Sequence, residues 1–99
     1  MKIWLDDVRG APQGYVWCRS VNSCKETILA AEQNGEEIES LDLDHDMGDY
    51  FPDGGDAISL IDWLVERDTV YPIALHTANP VGRANMQRAI EAYYRRKAW

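Results

Sequence analysis

The stretch Leu41-Asp42-Leu43-Asp44-His45-Asp46 is highly informative, because it predicts a short strand that ends directly in polar, chemically capable side chains. The same arrangement occurs twice more. Lys2-Ile3-Trp4-Leu5 leads into Asp6-Asp7, and Ile73-Ala74-Leu75 leads into His76-Thr77-Ala78-Asn79-Pro80. The carboxyl ends of parallel strands lie side by side in an open α/β sheet, so we expect these polar groups to meet in one crevice.

Strand and helix signals alternate along the chain, which predicts an α/β domain with a mostly parallel, four-stranded sheet. Strands are expected at 2–5, 15–19, 38–43 and 73–76, and helices at 20–34, 56–67 and 83–96. The first helix is expected to begin at Ser20 or at the capping-box pair Ser23 and Glu26. Its end is expected at Asn34-Gly35.

Length and composition favour a single domain spanning 1–99, because 99 residues with 45% hydrophobic content bury one core. No segment has the pattern of a signal peptide or a membrane span, so we expect a cytoplasmic protein with no membrane partner. Cys18 and Cys24 lack the spacing of a zinc site, and a lone pair in an intracellular domain is usually reduced and packed.

The net charge of −7 argues against a protein that grips a nucleic-acid backbone over its whole surface. Basic residues nevertheless gather near the end of the chain. They either complement the dipole of the last helix or form a local phosphate-binding edge. They are Arg83, Arg88, Arg95, Arg96 and Lys97.

Three carboxylates at predicted strand ends, those of Asp6, Asp7 and Asp44, suit a divalent metal, Mg²⁺, held by carboxylates, water and a substrate phosphate. A bound cation would also relieve their mutual repulsion. The alternative is that Asp6 or Asp46 merely caps a loop.

Both histidines of the chain, His45 and His76, fall at the same predicted edge, where they could act as general acid and base. Asp46 is a candidate to orient an imidazole. Asp44 is alternatively a nucleophile. A single histidine at such a place is more often a hydrogen-bonded structural residue.

Arginines and small polar residues near the same edge are candidates for binding phosphate. Arg9 and Arg83 could clamp an anion, because a guanidinium matches phosphate bidentately. Thr77 and Asn79 could add hydrogen bonds. Asn79, which precedes Pro80, could instead only shape a turn.

The chain resembles the response-regulator receiver domain, and more specifically the small family of cyclic-phosphate-processing receiver domains. That family shows a leading LDD followed by Arg, an LDHD segment, and an HSANP-like segment followed by Gly-Arg. Here these read Leu5-Asp6-Asp7 with Arg9, Leu43-Asp44-His45-Asp46, and His76-Thr77-Ala78-Asn79-Pro80 with Gly82-Arg83.

The resemblance implies a receiver-like (flavodoxin-like) fold and a phosphodiesterase or phosphoesterase acting on cyclic phosphates of nucleotides or RNA ends. The rival is a non-catalytic receiver-like signalling or anion-binding module, in which Asp44 accepts a phosphoryl group or the crevice only senses an anion. The link between the first two predicted strands is too short for a crossover helix, so we expect the first receiver helix to be missing. The chain ends after the helix expected at 83–96, so we also expect the fifth strand and the last receiver helix to be missing.

With those helices missing, one face of the sheet should be bare, and the alternation within the strands predicts the same. The inner set is Ile3, Leu5, Val16, Cys18, Leu41, Leu43, Ile73 and Leu75. The outer set is Lys2, Trp4, Tyr15, Trp17, Arg19, Asp42, Ala74 and His76. Exposed aromatic residues in one patch usually mark an interface, so we expect a homodimer through the face bearing Trp4 and Trp17. A partner protein, or the chain's own Tyr94 and Trp99, are the alternatives.

Overall fold

Four parallel strands form the sheet: β1 (Lys2–Leu5), β2 (Tyr15–Cys18), β3 (Ser40–Leu43) and β4 (Ile73–Leu75). Their order is β2-β1-β3-β4, and every neighbouring pair is parallel. The computed structural model describes residues 1–44, 55–67, 69–77 and 80–97. Within them the expected parallel, four-stranded α/β sheet is confirmed.

Three helices complete the described fold: α1 (Val21–Gln33), α2 (Ala57–Val65) and α3 (Pro80–Lys97). Ser20 caps α1, because its hydroxyl accepts a hydrogen bond of 3.0 Å from the backbone N–H of Ser23. The first of the two expected starting points is therefore correct.

Two element boundaries differ from the prediction for identifiable reasons. Helix α3 begins at Pro80, three residues earlier than expected, because proline has no N–H to lose in the first turn of a helix and its fixed φ suits that position. Strand β3 begins at Ser40. Ile38 is buried in the core but precedes the ladder.

All three helices pack on one face of the sheet. Their buried residues share a single core cluster with every second strand residue: Ile3, Leu5, Cys18, Leu41 and Leu43. The opposite face carries no described helix, as the alternation predicted. Val16 was wrongly expected in the core. It points to the helical side but is 38% exposed, because β2 is the edge strand and α1 does not cover it.

Two tyrosines of α3 bond the backbone of the segment that leads into β4. The buried Tyr93 hydroxyl donates to the carbonyl of Thr69 (2.9 Å) and accepts from the N–H of Tyr71 (3.1 Å). The Tyr94 hydroxyl accepts from the N–H of Ile73 (2.9 Å). These bonds satisfy backbone groups that the sheet leaves unpaired, and they set the position of β4, which leads into the site.

Candidate functional site

The polar strand ends meet at one edge of the sheet, as the sequence predicted. The last residues of β1, β3 and β4 are register partners, so the residues that follow them stand in one row. The backbone pairing continues into that row. The N–H of Asp44 donates to Leu5 (2.9 Å), and the N–H of His76 donates to Leu43 (3.1 Å).

Asp6, Asp7 and Asp44 form a buried carboxylate cluster. One ligand oxygen from each lies within 4.8 Å of the others. Hard oxygen donors at this spacing fit the coordination chemistry of Mg²⁺, which prefers carboxylate oxygens and completes its shell with water and phosphate. The donor set therefore fits the expected divalent metal.

Asp6 organises the cluster through four hydrogen bonds, and it is only 1% exposed. Its Oδ1 accepts from the backbone N–H groups of Val8 (2.9 Å) and Arg9 (2.8 Å). Its Oδ2 accepts from Arg9 Nε and His76 Nε2, each at 3.0 Å.

These contacts control the ionisation of Asp6. Burial raises the pKa of its carboxyl, but the backbone N–H groups of Arg9 and Val8 lower it, and the His76 ring and the Arg9 charge lower it further. The net pKa lies below the ordinary value of 3.8. Asp6 is therefore a fixed anion at neutral pH.

Arg9 spans the cluster from its solvent side. Its Nε bonds Asp6, and its Nη2 lies 3.6 Å from Asp44 Oδ1. The side chain is 51% exposed, so the guanidinium is held at one end and open to solvent at the other. A phosphate that approaches the carboxylates would meet this cation first.

His76 is held between two carboxylates and against an aromatic ring. Its Nδ1 lies 2.7 Å from Asp42 Oδ1, and its Nε2 lies 3.0 Å from Asp6 Oδ2. Its ring stacks on Trp4 with centroids 3.6 Å apart and planes 4° apart. Both ring nitrogens of His76 therefore face a carboxylate oxygen, which fixes the orientation of the ring from two sides.

Asp42 was missed as a site residue by the sequence reasoning. The signal was present, because Asp42 was assigned to the same face of the sheet as His76. Asp42 pairs in register with Ala74, two residues before His76. A carboxylate at that spacing on an uncovered face is a natural partner for an imidazole on the neighbouring strand.

A model of the cyclic-phosphate processing receiver domain family matches residues 1–92. The chain belongs to this family. The resemblance drawn from the three motifs is thereby confirmed, together with the receiver-like fold. No curated protein and no solved structure matches the chain.

The structure describes some of the remaining predicted site residues of this receiver domain and not others. Thr77 is buried one residue beyond His76. His45, Asp46 and Asn79 lie outside the described residues, so their assigned roles stay predictions. Arg83 is exposed on α3.

Arg83 helps to line a groove of about 430 Å³ between α3 and the free edge of β4, together with Leu75 and Glu91. Within the described ranges, no hydrogen bond or ion pair joins it to the carboxylates. Among the described helices, none is long and apolar enough to cross a lipid bilayer.

Proposed function

We propose that this chain hydrolyses cyclic phosphate esters with the help of a divalent metal, acting on a nucleotide or on the terminus of an RNA. The observation that carries this proposal is the buried cluster of Asp6, Asp7 and Asp44 with the half-exposed Arg9 guanidinium across it. The family's association with cyclic-phosphate processing points to the same substrate chemistry.

The three carboxylates would hold Mg²⁺, which supplies Lewis-acid polarisation of a phosphoryl oxygen and a bound water of lowered pKa. Asp6 is already engaged by four donors. In addition to offering a ligand oxygen, Asp6 therefore keeps the loop and Arg9 in place.

Arg9 binds and orients the phosphate in this proposal. Its Nε remains on Asp6, which leaves the outward edge of the planar guanidinium for phosphate oxygens. The net charge of the whole chain, −7, disfavours long contacts along a polyanion, so a single phosphate at a terminus suits this surface better than a long stretch of nucleic-acid backbone.

His76 Nε2 lies beside the cluster, 3.0 Å from Asp6 Oδ2. Asp42 fixes the ring from the other side. In the proposed reaction His76 is the general acid that protonates the leaving oxygen, and His45, oriented by Asp46, activates water.

A panel of 2′,3′-cyclic nucleotides, incubated with and without Mg²⁺ or Mn²⁺, tests this function. Metal-dependent ring opening is the expected result, and His76→Gln should lower the rate about 10²–10⁴-fold. Calorimetry should show metal binding that Asp7→Asn and Asp44→Asn weaken strongly, because each removes a ligand charge. Asp62→Asn, an exposed site on α2, is the matched control.

The rival function has its own signature. Failure to turn over any cyclic or linear phosphoester, combined with stable labelling of Asp44 by a small phosphoryl donor, would identify a non-catalytic receiver with Asp44 as phosphoacceptor. Both histidines would then have structural roles only.

A further inference from the structure

Side chains on the face that carries no described helix, here called the uncovered face, bond the main chain of residues 6–9, here called the acidic loop. Trp17 Nε1 donates to the carbonyl of Asp6 at 2.8 Å. Arg19 donates twice to the carbonyl of Asp7, from Nη2 at 2.9 Å and from Nε at 3.3 Å. The Arg19 guanidinium also lies over the Trp17 ring, 4.9 Å from its centroid. The main-chain carbonyls of Asp6 and Asp7 therefore both accept hydrogen bonds from side chains outside the cluster.

Trp4 makes the third such bond at the far end of the loop. Its Nε1 donates to the carbonyl of Arg9 at 3.1 Å, while its ring stacks on His76. Trp4 thus contacts both the phosphate-binding arginine, through its backbone, and the imidazole. A single rigid side chain links these two groups on the uncovered face.

The acidic loop is fixed on both sides of its main chain. Its N–H groups at Val8 and Arg9 point inward to Asp6 Oδ1. Its carbonyls at residues 6, 7 and 9 accept from the two indoles and the guanidinium. Carboxylates crowded together repel one another, and a restrained backbone opposes the separation of the two that this loop carries.

Burial alone does not explain the position of the Trp17 ring. Trp17 remains 40% exposed, yet the polar end of its ring is turned to the loop. The gain from burying such a ring is partial, whereas the bond to the loop is short and directed.

We propose that Trp17, Arg19 and Trp4 are positioning residues of the carboxylate cluster, acting through the backbone of the acidic loop to keep Asp6 and Asp7 close to Asp44. The consequence for metal affinity rests on the proposed function, but the restraint on the loop does not. In this assignment, side chains on the uncovered face hold the carboxylate cluster in position.

Tyr15 provides a matched control on the same face. It meets Trp4 edge-on, with centroids 5.9 Å apart at 77°, and Lys2 lies over its ring. Within the described residues it makes no hydrogen bond with the acidic loop. Tyr15→Phe therefore changes an aromatic residue of the face without removing a bond to the loop.

The test compares Trp17→Phe, Arg19→Gln and Tyr15→Phe by two measurements on the full chain. NMR amide exchange at Val8 and Arg9 reports the loop without any metal. Removing one restraining bond should accelerate exchange there about fivefold and leave the amide of Leu41 in β3 unchanged. Titration with Mn²⁺ alone, followed by EPR, should show affinity reduced about 10-fold, as for other residues that orient metal ligands. Tyr15→Phe should change neither quantity.

The outcomes separate this proposal from the proposed function. Unchanged exchange at Val8 and Arg9 in both Trp17→Phe and Arg19→Gln overturns the positioning role, whatever the wild type binds. If the variants exchange faster at Val8 and Arg9 while the wild type binds no Mn²⁺, the restraint on the loop is supported and the metal-assisted function is refuted instead. Arg19→Gln keeps the test decisive if Trp17→Phe does not fold.

Discussion

Replacing Asp6 by asparagine tests the organising role of this carboxylate most directly. The amide oxygen can keep the two backbone bonds from Val8 and Arg9. The amide nitrogen, however, would face the donor Arg9 Nε, and His76 Nε2 would lose its carboxylate partner. Two charge-assisted bonds are lost, and Arg9 Nε is left pointing at another donor.

The size of the loss follows from the exposure of the partners. The bond to the largely buried His76 is worth about 1.5–3 kcal/mol. The bond to the half-exposed Arg9 is screened by solvent and adds about 0.5–1 kcal/mol. We therefore expect Asp6→Asn to lower the free energy of unfolding by about 2–4 kcal/mol at pH 7.

The pH dependence carries the sign of a carboxylate whose pKa is lowered by folding. Its contribution is present above the unfolded value and disappears as the pH falls through the lower folded pKa. The stability difference between wild type and Asp6→Asn should be full at pH 7 and shrink below about pH 4.

Urea unfolding followed by circular dichroism, repeated from pH 7 to pH 2, measures this difference, with Asp62→Asn as the control for lost negative charge. A loss below about 1 kcal/mol at pH 7 would refute the four-bond account of Asp6. A difference that persists undiminished at pH 2 would show that its ionised form is not responsible.

Two further predictions concern the anchor of β4 and the uncovered face. Tyr93→Phe removes a hydroxyl that serves Thr69 and Tyr71, and should destabilise the fold by about 1–3 kcal/mol in urea unfolding, because two buried backbone groups lose their partner. An equal stability would contradict the anchoring role. A homodimer through the face of Trp4 and Trp17 stays a prediction. Sedimentation over a wide concentration range should show a dimer, and a wild type that remains monomeric at high concentration rejects it.

The sequence predicted the architecture well because its signals were local and repeated. Each strand alternates and then ends in polar residues, and a parallel register converts that pattern into a row of functional groups. The convergence of Asp6, Asp44 and His76 followed from this rule alone. The exposure of Val16 could not be predicted from this rule, because the burial of an edge strand depends on where the neighbouring helix packs.

The hydrogen bonds made by side chains around the site could not be predicted from the sequence for a different reason. Sequence placed Trp17 and Arg19 on the outer face, but nothing in their spacing showed that they bond the carbonyls of the acidic pair. Such bonds depend on the path of the loop between β1 and β2. The partnership of Asp42 with His76 similarly requires the strand order, which places β3 beside β4.

His76 bonds both Asp6 and Asp42, and it thereby joins residues of three strands on the face where the structure describes no helix. Polar groups assembled for chemistry commonly reduce stability, so enzymes often tolerate or even benefit from their removal when only folding is assayed. His76 is expected to behave differently, because its two hydrogen bonds join residues of three strands. Selection for a folded chain alone would then retain His76 and Asp42. Finding both residues in a relative would therefore be no evidence that the relative is an enzyme.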